Sequence, residues 1–115
     1  MSRAIVLSYL DAMEARALDR AQALLAPGFT MTFPGARRFD SLAAMIDWSR
    51  GRYRFVKKSY DGFDEYADVV YCYGTLDGEA LDGRAIAGVR FVDRFKLERG
   101  LIADQQVWND LAEFQ

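Results

Sequence analysis

The stretch Val89-Arg90-Phe91-Val92-Asp93-Arg94-Phe95-Lys96-Leu97-Glu98-Arg99-Gly100-Leu101-Ile102-Ala103-Asp104-Gln105-Gln106-Val107-Trp108-Asn109-Asp110 decides the fold. It alternates apolar and polar residues at period two, breaks at Arg99-Gly100, and resumes. That pattern is two strands joined by a tight turn. One face of the first strand carries Val89, Phe91, Asp93 and Phe95; the other carries Arg90, Val92, Arg94 and Lys96. An aspartate between two phenylalanines on the apolar face is the oddest placement in the chain. An unpaired buried carboxylate costs several kcal/mol, so Asp93 must be protonated, paired or hydrated.

The β pattern extends backwards. Strands are expected at about 53–66, 68–80, 84–98 and 101–110, with turns at Ala67-Asp68, Asp82-Gly83 and Arg99-Gly100. Before Tyr53 the periodicity is helical. Ile5, Leu7, Tyr9, Leu10, Met13, Ala17 and Leu18 mark a first amphipathic helix that Ser2 can cap. A second starts at Asp19, with Ala21, Leu24 and Leu25 on its apolar side, and Pro27-Gly28 is its expected stop. Phe29 to Phe33 reads as a short strand ended by Pro34-Gly35. A third helix, capped by Asp40 or Ser41, buries Leu42, Met45, Ile46 and Trp48. Helices first and a long meander last predict an α+β domain spanning residues 1–115, with three N-terminal helices packed on a curved antiparallel sheet.

Composition narrows the chemistry. The 115 residues are 51% apolar and 14% aromatic, enough for a real core. Fifteen basic and 17 acidic residues leave a net charge of −2, which gives no pull towards nucleic acid or an anionic membrane. The chain has no histidine and one cysteine, Cys72. Disulfide frameworks, Cys-cluster and His metal sites, and Ser-His or Cys-His nucleophiles are therefore excluded. No cofactor or metal is expected, and with no signal peptide or membrane span in the reading, a cytoplasmic location is the default. The pair Arg37-Arg38 and the run Lys57-Lys58 read as solvated, and Cys72 as a small buried or interface hydrophobe.

Val69 to Tyr73 is apolar on both faces. An antiparallel sheet exposed on one side should alternate more cleanly, so a second copy of the chain is expected over the outer face. Val92 and Val107 are expected to join that homodimer surface.

Several segments together resemble the nuclear transport factor 2-like superfamily, in its SnoaL-like and ketosteroid-isomerase-like branches. They are Tyr9-Leu10-Asp11-Ala12-Met13 with Leu18-Asp19, Leu24 to Thr30, Ala43-Ala44-Met45 with Trp48, Val92-Asp93-Arg94-Phe95, Gly100-Leu101-Ile102 and Val107-Trp108. The resemblance covers nearly the whole chain and implies a cone-shaped, cystatin-like fold with a cavity between sheet and helices. In the isomerase pattern Tyr9 and Asp93 match the two oxyanion donors, the latter a carboxyl kept protonated by an apolar site. The general base is missing: Phe33 precedes Pro34 where an aspartate should. General-base catalysis contributes roughly a hundred- to ten-thousand-fold, so ketosteroid isomerisation by the usual route is not expected.

If Trp108 faces the cavity, as its match does, Gln106 and Asp104 share that face. SnoaL-like cyclases similarly use an acidic residue of this sheet as acid/base. The resemblance thus implies Tyr9, Asp93 and Asp104 as candidate catalytic residues. It implies Met13, Phe33, Trp48, Tyr71, Tyr73, Phe91, Phe95, Gln106 and Trp108 as candidate ligand contacts. Three functions follow in descending order. The first is a homodimeric SnoaL-like protein binding a small apolar or aromatic molecule, steroid-like ones included. The second is an isomerase or cyclase of a polycyclic or aromatic carbonyl compound. The third is a protein-interaction module.

Overall fold

The computed structural model describes residues 2–113. Helix α1 (Ser2–Glu14) buries Val6, Tyr9, Leu10, Ala12 and Met13 along one stripe. The helix includes Ser2 rather than starting after it, and it ends at Glu14, so Ala17 and Leu18, expected on its stripe, lie outside it, and Val6 is buried where Leu7 is expected. Helix α2 (Leu18–Gln22) is one short turn, preceded by Ala17 with no side-chain cap, so Asp19 lies inside it. Helix α3 (Leu42–Arg50) is capped by Ser41, one of the two candidates, whose hydroxyl accepts from the Ala44 amide at 3.2 Å.

Six strands form one curved sheet: β1 (Leu25–Phe33), β2 (Arg37–Phe39), β3 (Tyr53–Tyr66), β4 (Val69–Ala80), β5 (Ala85–Glu98) and β6 (Leu101–Asn109). Their order is β2-β1-β6-β5-β4-β3. The four long strands are the meander that the alternation predicts. The sheet is nevertheless mixed, not purely antiparallel, because β1 runs parallel to β6. Leu25, Pro27 and Gly28 also belong to β1, not to a helix and its stop. Leu25 pairs with Ile102 and Thr30 with Asp104, so the Pro27-Gly28 segment bulges out of register between them. The short strand β2 has no counterpart in the sequence reading; three residues are too few to show a period.

Curvature comes from further register breaks, with extra residues between Tyr53 and Phe55 and between Tyr60 and Gly62 in β3, between Ile86 and Val89 in β5, and between Ile102 and Asp104 in β6. Each extra residue bends its strand and increases local twist. The β5–β6 turn has positive φ at Arg99 (52°) and Gly100 (79°), matching strand twist. The concave face packs on α1 through Val70, Phe95 and Ile102, which meet Val6, Tyr9 and Leu10 in one apolar core. No helix among the described residues is long and apolar enough to cross a membrane.

Candidate functional site

A cavity of about 140 Å³ opens between α1, α3 and the concave face of the sheet. Its wall is built from Met13, Met31, Phe33, Met45, Trp48, Val56, Leu76 and Val107. Tyr9 and Gln105, both buried, and the half-buried Lys58 also line it. Exposed Glu14, Arg16 and Arg52 lie at its mouth. Trp48 packs edge-on against Phe33, ring centroids 5.3 Å apart, and carries the Arg52 guanidinium 4.7 Å from its own ring centre.

The polar groups converge through the register. Val56, Lys58 and Tyr60 share the inner face of β3, as Phe91, Asp93 and Phe95 do on β5. Between them, β4 offers Cys72, Gly74 and Leu76. From there Lys58 reaches Asp93 and forms an ion pair with it. Asp93 is fully buried and does not itself line the cavity, whereas the Lys58 side chain is 20% exposed and does. The Lys58 ammonium also sits 4.9 Å from the Phe91 ring centre.

Tyr9 donates its hydroxyl hydrogen bond to Gln105 Oε1 at 2.9 Å. The Gln105 amide lies beside the Asp93 carboxyl and favours its ionised form, yet Asp93 Oδ1 has no hydrogen bond of good geometry. Burial pushes the Asp93 carboxyl above the ordinary carboxylate range, opposed by the Lys58 charge and hydrogen bond. Burial alone would lower Lys58, but its pairing with Asp93 outweighs this and raises it. Burial, aided by the Asp93 charge, pushes the Tyr9 hydroxyl well above the usual phenol range.

Met13, Phe33, Trp48 and Tyr9, site candidates that the resemblance implies, lie on the cavity wall. Asp93 is buried beside Phe91 and Phe95, which lie beneath the wall rather than on it. Other expected placements differ. Trp108, Gln106 and Asp104 lie on the convex face, because β6 turns Gln105 and Val107 inward. Trp108 is 50% exposed. Asp104 accepts from the Thr30 hydroxyl at 2.7 Å and from the Gln106 amide at 3.1 Å, far in register from the Lys58 corner. Tyr71 and Tyr73 also face outward; Tyr73 lies across Gly62, where a Cβ would come within 2.5 Å of its hydroxyl. Val107, expected outside, lines the cavity.

The two residues matched to oxyanion donors are both engaged within the protein: Tyr9 donates to Gln105, and Asp93 pairs with Lys58. Lys58, read as solvated, is the residue that the sequence reading missed. The signal was present: Lys58 alternates with Val56 and Tyr60, as Asp93 alternates with Phe91 and Phe95.

No protein-family model and no curated protein matches the chain. Solved structures do. An NTF2-like protein of unknown function from Burkholderia pseudomallei superposes with a TM-score of 0.86 at 24% identity, over 97% of this chain and 92% of its own. A candidate SnoaL-like polyketide cyclase from Jannaschia sp. gives 0.83 at 17% identity, over 97% and 87%. TerC, co-crystallised with polyporic acid, gives 0.84 at 16% identity, over 98% and 94%. The chain therefore has the nuclear transport factor 2-like fold, the one that the order of its elements implies. Folds of this breadth do not carry a function with them.

Proposed function

We propose that this chain binds a small aromatic molecule in the cavity between α1, α3 and the sheet. The observation that carries this reading is the wall itself: apolar and aromatic side chains around one convergent polar corner, the usual composition of a small-molecule site. Size limits the ligand. A cavity of about 140 Å³ falls well below the roughly 300–1,000 Å³ of drug-sized pockets. It is comparable to the engineered cavity of ~150 Å³ that holds one benzene ring. A single ring fits inside; a polycyclic or steroid ligand would have to project through the mouth. The co-crystallised TerC structure supports the reading, since a protein of this fold was crystallised with an organic acid.

Catalysis through Tyr9, Asp93 and Asp104 is the weaker reading. Asp104 lies on the opposite face, and Phe33 holds an apolar ring on the cavity wall where a general base would be needed. The methionine methyls give a direct test. Of the four methionines, Met13, Met31 and Met45 line the cavity. In the methyl-13C spectrum, single-ring aromatics at millimolar concentration should shift those three resonances. A panel that leaves all three in place refutes the reading.

The protein is further proposed to be a cytoplasmic homodimer that pairs through the convex face. Tyr73, Val92 and Trp108 lie side by side across β4, β5 and β6, beside the half-exposed Tyr71. Such a contiguous apolar patch suits a self-complementary two-fold contact. Light scattering should give twice the chain mass, falling to one chain for Trp108→Arg; a monomeric wild type at micromolar concentration refutes the dimer.

A further inference from the structure

Lys58 is a cation on the wall of a largely apolar cavity, and only part of its hydrogen-bonding capacity is used. An ammonium has three N–H donors. Asp93 takes one, from beneath the wall, and no other hydrogen bond to Lys58 Nζ is formed among the described residues. The Lys58 side chain lines the cavity while its ammonium is held on Asp93 beneath the wall, and two of its three donors carry no hydrogen bond among the described residues. Asp93 fixes it there without occupying the cavity. At the mouth, Arg16 and Arg52 outnumber Glu14, so the charged lining is basic on balance although the whole chain is acidic. The space in front of Lys58 suits one ring.

Building on the ligand-binding reading above, we infer that the cavity takes a single-ring aromatic carboxylate, its charged oxygens on the Lys58 ammonium and its ring among Met13, Met31 and Met45. Lys58 is the ligand-contacting residue and Asp93 its positioning residue. A neutral ring of the same shape keeps the apolar contacts and loses the charge-assisted hydrogen bond.

The test titrates benzoate and methyl benzoate into the methyl-13C-methionine protein at neutral pH. Benzoate should bind at least about tenfold more tightly than the ester, the scale of one hydrogen bond to a charged group. In Lys58→Met/Asp93→Asn, which removes both charges, the preference should disappear while the ester still shifts the methionine methyls. A second measurement needs no variant. The chain has three lysines, Lys57, Lys58 and Lys96. The Lys58 ε-methylene resonance, assigned by triple-resonance spectroscopy, should move with benzoate and stay still with the ester.

Equal affinities for the two compounds, a preference that survives in the double variant, or a Lys58 resonance indifferent to benzoate would each overturn the carboxylate inference. Each of those results leaves the cavity reading standing, because the methionine methyls report it separately. If neither compound moves them, both readings fall.

Discussion

Lys58→Met should unmask the cost of burying Asp93. The carboxylate is fully buried, Lys58 is its ionic partner, and Oδ1 already lacks a hydrogen bond of good geometry. Removing one member of a buried pair typically costs about 3–5 kcal/mol, because an uncompensated charge stays behind. The Lys58 side chain is 20% exposed, so water can follow the cavity towards the carboxylate, and the lower end, about 3 kcal/mol, is expected. Against a total stability of about 5–15 kcal/mol this is a large loss. With a urea m-value of about 2 kcal/mol/M, the midpoint should fall by roughly 1.5 M.

The loss should also depend on pH, with a definite sign. Burial raises Asp93 in the folded state above its unfolded value, and Lys58 works against that rise. Without Lys58 the carboxyl moves further up. A group raised on folding favours the native state while it is protonated and loses that contribution as pH climbs through its folded value. The deficit of Lys58→Met should therefore grow from acid to neutral pH and shrink towards the ordinary carboxylate range. The assay is urea unfolding at pH 5 and pH 8, followed by tryptophan fluorescence. Adding Asp93→Asn should recover about half of the loss at pH 8, the buried amide still lacking full satisfaction. A single-variant loss below about 1 kcal/mol, or one equal at both pH values, refutes the reasoning, since neither fits a stranded buried charge.

Gly74→Ala should be severely destabilising. A Cβ there would lie 1.9 Å from the Ser59 backbone oxygen, beside the β3 bulge, and a backbone group cannot swing aside; chemical denaturation should show a loss of at least about 2 kcal/mol. Cys72 should be inert in the native protein, because burial, with the Asp93 charge, pushes its thiol up to about 12. An aromatic disulfide reagent at pH 8 should label it only in denaturant, and rapid native labelling would contradict its burial.

Local pattern made most of the fold legible. Period two on Val89 to Lys96 and the paired turn residues Arg99-Gly100 are each set by neighbours in the chain. They appear where expected, and Ser41, one of the two candidates, caps α3. The errors lie where a neighbour in space decides. Leu25 to Gly28 reads as a helix end by its residue types, but β6 alongside draws it into the sheet with a bulge at Pro27-Gly28. The resemblance puts Trp108 on the cavity side of its strand, and the structure puts it outside. Alternation alone states that Gln105 and Val107 oppose Gln106 and Trp108; it does not say which set is inside. Pairing decides, because Asp93 sits opposite Val107 and its side is already buried.

The candidate site divides in the same way. The residue pattern by itself marked Asp93 for an apolar strand face and left the chain without histidine or a cysteine cluster, whereas Tyr9, Met13, Phe33 and Trp48 were implied as site residues by the resemblance. Only the tertiary structure decided what Asp93 does. Its partner, Lys58, lies 35 residues earlier in the chain and two strands away in the sheet. Whether a lysine on a strand is solvated or buried depends on a charge brought to it by folding, and a buried ion pair exists only when both members arrive together.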